Sequence, residues 1–201
     1  MKRSITARVS YLAAALLLLS PGVFAASTTW QIDPAHSAAQ FAVRHLTIST
    51  VRGQFHNVKG AIVVDDAEIT KSTVDVTIDA TTVDTQEANR DKHLKSPDFF
   101  DVEKFPAITF KSTMVEKAGA GKLKVTGDLT IRGTTRSVVL DVDGPTAAIK
   151  DPWGNQRAAA SATTKINRQD FGVQWNGTLD NGGVVVSDEV SISLDIEMIH
   201  K

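Results

Sequence analysis

The chain has 201 residues, no cysteine, 22 basic against 23 acidic residues and a formal net charge of −1. A balance so close to neutral argues against a nucleic-acid binder, which needs a basic face to neutralise phosphates. The lack of cysteine excludes a disulfide scaffold and a thiol nucleophile, and the length suits one domain or two small ones.

The first residues read as a secretory leader. Lys2, Arg3 and Arg8 form a basic region, Tyr11 to Leu19 an apolar one, and Val23-Phe24-Ala25 a cleavage site. The apolar run is too short to span a bilayer and is soon broken by Pro21-Gly22. The expected organisation is a cleaved leader over residues 1–25 and a single domain over 26–201. Losing the three basic residues of the leader takes the formal charge from −1 to −4. A domain of this size buries enough surface to fold in an oxidising compartment without disulfides.

Downstream the pattern is strand after strand with period-2 alternation. Trp30–Asp33 is a short opener broken by Pro34, and in Ser37–Leu46 the residues Phe41, Val43 and His45 share a face. Val51–Asp65 reads as a longer strand interrupted near Gly60. The clearest alternation sets Val74, Val76, Ile78 and Ala80 against Thr73, Asp75, Thr77 and Asp79.

A helical insertion near residues 85–101 interrupts this run. Asp84 and Glu87 have capping-box spacing and predict a helix from about Thr85, with Arg90, His93 and Leu94 on one face. Ser96-Pro97 closes that helix and offers the start of a second, carrying Phe99 and Phe100. Such a plug suits one end of a barrel.

The alternation then resumes. Ile108, Phe110 and Met114 face one way, with Ser112 among them, and Lys117–Gly121 reads as a turn. Leu123, Val125, Leu129 and Ile131 share a face, as do Val138, Leu140 and Val142, with a turn at Gly133. After a loop at Asp151-Pro152-Trp153-Gly154 come a strand from Gln156 to Arg168 and a long last strand with Val186, Val190, Ile192, Leu194, Ile196 and Met198 on one parity. The fold class is therefore all-β, an antiparallel barrel of about eight strands, either filled by its own side chains or holding one small ligand.

Two inward faces carry small residues: Ala158, Ala160, Ala162 and Thr164 on one strand, Gly127 on another. They either leave room for an apolar ligand or accommodate large rings such as Phe99, Phe100, Phe171 or Trp175. The inward cation-capable groups His45, Arg90, His93 and Arg168 cluster by position at strand ends or in the plug, where they could receive a polar or anionic head. Each could equally be solvated or paired with Asp91, Asp98 or Asp101. Catalytic signals are absent: there is no G-x-S-x-G turn and no H-E-x-x-H. His36, His45 and His56 would need tertiary convergence to hold zinc, so no metal is assigned.

Arg90-Asp91-Lys92-His93-Leu94-Lys95-Ser96-Pro97-Asp98-Phe99-Phe100-Asp101-Val102, then Phe105-Pro106-Ala107-Ile108-Thr109-Phe110, resembles the signature of the YceI-like family of periplasmic lipocalin-like proteins. So do Trp30-x-Ile32-Asp33-x-x-His36-Ser37, Phe41-x-Val43-x-His45, Gly53-x-Phe55, Gly127 to Arg136, and Asn167-Arg168-x-Asp170-Phe171-Gly172, in the same order. The resemblance implies a lipocalin-like barrel in the periplasm enclosing a long apolar channel. It implies a bound polyisoprenoid, prenyl diphosphate, isoprenoid quinone or fatty-acyl amphiphile and no other cofactor. Phe41, Val43, Phe99, Phe110, Phe171 and Trp175 would line the channel; His45, Arg90, His93 and Arg168 would stand at the head-group end. Two rivals stay open: a ligand-free stress or interaction barrel, and an isoprenoid-modifying enzyme of the same shape. A transient membrane contact fits a lipid carrier. A homodimer through the long last strand, Val184 to Ile199, is an alternative to a monomer.

Overall fold

Alternating side chains commit each strand to one inner and one outer face, and the chain resolves that commitment by closing on itself. The computed structural model describes residues 27–180 and 182–200; the leader expected over 1–25 lies outside the described residues. The strands are β1 (Ser27–Ile32), β2 (Ala38–His45), β3 (Ser49–Phe55), β4 (Val58–Asp65), β5 (Thr73–Asp79), β6 (Ala107–Gly119), β7 (Lys122–Ile131), β8 (Thr134–Asp143), β9 (Ile149–Lys150), β10 (Gln156–Asn167) and β11 (Val186–His200). Among the described residues there is one α-helix, α1 (Ala88–Lys95), with short 3-10 turns at Ile69–Lys71, Ala80–Thr82 and Arg168–Phe171.

These strands make eight staves. β1 and β2 lie end to end along β11, with Ile32 opposite Met198 and Ala38 opposite Asp195. β3 and β4 lie end to end against β2 and β1. β9 extends the β8 stave along β10. Each stave pairs antiparallel with the next, and β10 pairs with β11 from Gln156–His200 to Asn167–Glu189, which closes the ring. The eight-stranded antiparallel barrel is thus the fold.

One end, the capped end, carries the β2–β3 and β7–β8 hairpins, α1 and the turn at Arg168–Phe171. Phe171, only 2% exposed, seals it; burying such a ring contributes ~1.5–3 kcal/mol. Towards the other end Trp30, Ala158 and Met198 form a separate small packed cluster.

Several expectations are corrected. The β3–β4 stave breaks at His56-Asn57, where Asn57 has φ 58°, and not at Gly60. Gly60 lies within β4, where a Cβ would run into the backbone of Asp75 and Val76, so it serves close strand approach. β6 is bulged between Ser112 and Met114, which turns Met114 outward (48% exposed) and puts Val115 inward instead. β6 also continues to Gly119, into the stretch read as a turn. α1 starts at Ala88, not near Thr85, because Glu87 rather than Asp84 caps it, accepting from the amides of Asn89 and Arg90. No second helix follows Ser96-Pro97: the amides of Phe100 and Val102 reach back to the carbonyls of Leu94 and Lys95, and Asp101 sits at φ 50°, so the chain coils around the end of α1. Finally, β11 is paired along both edges and offers no free edge to a neighbouring chain.

Candidate functional site

The barrel encloses a cavity of about 590 Å³, inside the span of roughly 300–1,000 Å³ usual for small-molecule sites. Its wall is built from the inward parities of the strands: Val74, Val76 and Ile78 from β5, Val138 and Val142 from β8, Leu194 and Ile196 from β11. These side chains point inward yet are only half-buried, because space and not protein stands in front of them.

The small residues serve both purposes, at different heights. Ala160, Ala162 and Thr164 line the cavity, whereas Ala158 packs against Trp30 and Met198. Gly127 makes room for a ring: a Cβ there would meet Phe110, and would lie 2.6 Å from the Lys111 carbonyl oxygen.

Every residue that the sequence assigns to the channel or to its head-group end reaches this one cavity. Phe41, Val43, Phe99, Phe110, Phe171 and Trp175 line it, and so do His45, Arg90, His93 and Arg168 at the capped end. No carboxylate and no lysine is among its lining residues. Thr85 and Asn89 join them without having been singled out. The signal for Asn89 was present, since it precedes His93 by four positions and shares its helical face.

The four cation-capable groups differ in what they have left to offer. Arg90 donates from Nε to the Thr85 hydroxyl at 2.7 Å and from one terminal nitrogen to the Thr85 carbonyl at 2.8 Å. Thr85 is buried and is itself fixed by Asp91, to which its amide and hydroxyl donate at 2.8 and 2.5 Å. The other terminal nitrogen of Arg90 stays available at the cavity. His93 pairs its Nε2 with Asp98 at 2.9 Å and meets the rings of Phe99 and Trp175 edge-on, both at 5.0 Å. Arg168 is 5% exposed and donates to the carbonyls of Ser187, Val173, Trp175 and Val186 and to Asp188. Burial pushes its guanidinium below the usual arginine range, with the Asp188 charge opposing. Its hydrogen bonds staple the segment after the 3-10 turn to the start of β11. His45 stands at the end of β2 opposite Val186.

The histidines read as a conceivable zinc set go separate ways: His36 to Asp33, His56 to Asp84, His45 to the cavity. Asp33, His36 and Glu197 do lie close together, but Arg157 fills the space between the carboxylates. It bonds Asp33 and Asp151 at 2.8 Å each, and Glu197. The Arg157 hydrogen bond, then that of His36, holds the Asp33 carboxyl at about 2.

A closed antiparallel barrel, capped by a short helix and hollow along an apolar interior, defines a lipocalin-like barrel protein. The YceI-like domain model matches residues 30–198, and the chain belongs to that family. It is 39% identical to a UPF0312 protein of Vibrio cholerae serotype O1 over 167 residues, 83% of this chain and 84% of that one. The crystal structure of the Campylobacter jejuni YceI protein superposes with a TM-score of 0.66 at 34% identity, covering 79% of this chain and 90% of that one. A polyisoprenoid binding domain from Saccharophagus degradans shares the fold, with a TM-score of 0.63 at 15% identity over 87% of this chain and 99% of its own.

Proposed function

We propose that the protein is a periplasmic carrier or storage protein for one long-chain amphiphile, a polyisoprenoid with a phosphate or quinone head or a fatty-acyl derivative. The observation that carries this reading is the cavity itself: a hollow apolar interior that Arg90, His93 and Arg168 line at its capped end, with no carboxylate among the lining residues. Each buried methylene contributes ~0.8 kcal/mol, so a chain of about ten carbons supplies ample affinity without polar contacts. The head, an acceptor of hydrogen bonds, lies by Arg90, Asn89 and His93, while Arg168 positions the wall around it. A filled interaction barrel would not leave inward valines and leucines half-bare. The polyisoprenoid-binding character of the Saccharophagus domain supports the same ligand class, and the leader pattern supports export. We infer binding without chemistry, since the groups at the capped end suit holding a head more than breaking a bond.

The test is native mass spectrometry of protein exported by its own leader, followed by solvent extraction and mass identification. A stoichiometric prenyl or acyl adduct is expected. Apo protein that stays apo after incubation with membrane extract would defeat the carrier reading.

A further inference from the structure

The connection from β8 to β10 spends many hydrogen bonds to hold a tryptophan in solvent. Trp153 is 80% exposed and Ile149, close by on β9, is 66% exposed. The turn that presents Trp153 is not loose. Asp151 accepts from the amides of Trp153 and Asn155 at 2.9 Å each and from the Asn155 side chain at 3.0 Å. The backbone closes the same turn, from the Asp151 amide to the Asn155 carbonyl and from the Gly154 amide to the Asp151 carbonyl. Asp151 is buried and anchored on Arg157, which is anchored in turn on Asp33 and Glu197. A part-buried ionic network thus fixes a short loop whose outermost side chain is a large, amphipathic ring.

Three further observations say what the ring meets. The first is position: this connection lies at the end of the barrel away from α1, and Pro145 at its root is at once exposed and part of the cavity lining. The cavity lining therefore reaches the root of the segment that carries Ile149 and Trp153. The second is charge: residues 144–155 contain one lysine and one carboxylate, and the carboxylate, Asp151, is turned inward onto Arg157 while Lys150 is exposed. The outward face of the tip is apolar and cationic. The third is residue chemistry: tryptophan combines an apolar body with an N–H and is favoured at the boundary between headgroups and hydrocarbon. A lone buried-anchor ring without charge would fit a protein groove as well; the ring with a cation and without an exposed acid fits an anionic lipid surface.

We propose that the Ile149–Trp153 tip docks the protein on the surface of a phospholipid bilayer, with the uncapped end of the barrel facing the membrane. This deepens the carrier reading and rests on it: a lipid then passes between bilayer and cavity without crossing water.

The experiment is flotation of the full mature protein with vesicles of phosphatidylethanolamine and phosphatidylglycerol, comparing wild type with Trp153→Ala, Ile149→Ser and Lys150→Glu. The native mass of each protein, with any retained lipid, is read in parallel. Wild type floats; Trp153→Ala and Ile149→Ser each weaken vesicle binding by roughly tenfold, given the apolar area removed. Lys150→Glu weakens it on phosphatidylglycerol vesicles and not on vesicles of phosphatidylcholine alone. The retained lipid is the same in all four proteins. Flotation equal in wild type and variants overturns the proposal, as does wild type that ignores vesicles. Loss of a dimer in Trp153→Ala without any vesicle binding overturns it in favour of a second copy on the tip. Failure of the carrier reading shows separately, as absence of lipid in the native mass of wild type.

Discussion

Arg90 and Thr85 are joined twice, guanidinium to hydroxyl at 2.7 Å and guanidinium to carbonyl at 2.8 Å. The pair fixes where the free part of the guanidinium points, because Thr85 is buried and held by Asp91. A lysine supplies the charge but cannot make both contacts and still present a donor to the cavity. Arg90→Lys is therefore expected to shorten lipid retention by roughly tenfold or more, on the scale of one charge-assisted hydrogen bond. Arg90→Ala combined with His93→Ala is expected to shorten it further. Dissociation of a bound fluorescent prenyl or acyl amphiphile reads the effect, and unchanged retention in the double variant would remove the head group from this end of the barrel.

Two glycines, tested by the same substitution, should respond differently. At Gly53 a Cβ would press on the tip of the Phe41 ring and lie 2.8 Å from the Thr85 methyl. Phe41 borders empty space and can swing into it. At Gly127 the Lys111 carbonyl, 2.6 Å away, belongs to the paired backbone of β6 and cannot move. Gly127→Ala is expected to cost ~1–3 kcal/mol by urea unfolding, as overpacking does. Gly53→Ala is expected to cost less but to reduce lipid capacity, since the displaced ring takes up cavity volume. Equal losses of stability would refute the distinction.

Much of this was legible in the sequence, for a reason visible in β5. Val74, Val76 and Ile78 alternate with Thr73, Asp75 and Thr77 because one face meets the interior and the other meets water. Where the two environments differ, the period shows. The bulge before Met114 was not legible, since it depends on β7 running with one residue fewer opposite β6. Nor was the occupation of Arg168: its acceptors, the carbonyls of Val173, Trp175, Val186 and Ser187, come from the chain folding back over it. Sequence placed its charge at the cavity's end but not the five groups that use it.

The Arg157 network makes acid stability predictable. In the folded protein the Asp33 carboxyl titrates at about 2 instead of 3.8. A depressed pKa means stability that is present above the unfolded value and lost as pH falls through the folded one. Between pH of about 4 and about 2 the protein should lose about 2 kcal/mol from this group. Asp33→Asn should be less stable at neutral pH and flatter over that window. Urea unfolding at stepped pH measures both, and an acid limb of unchanged slope in Asp33→Asn would show that Asp33 does not govern it.

The alanines of β10 separate cavity from core on a single strand. Ala158 is 6% exposed against Trp30 and Met198, so a phenylalanine there has no room and is expected to cost several kcal/mol, at or above the ~1–3 kcal/mol usual for overpacking. Ala160, two residues on and on the same face, is half-buried and lines the void, so a phenylalanine there extends into space instead of into atoms. Ala160→Phe is expected to fold with near wild-type stability while losing most bound lipid, because the ring obstructs the cavity a chain would occupy. Thermal unfolding and native mass spectrometry on both variants give the answer together. Lipid retained in full by folded Ala160→Phe would mean that the ligand does not reach this height of the barrel, and would confine the binding site to the capped end.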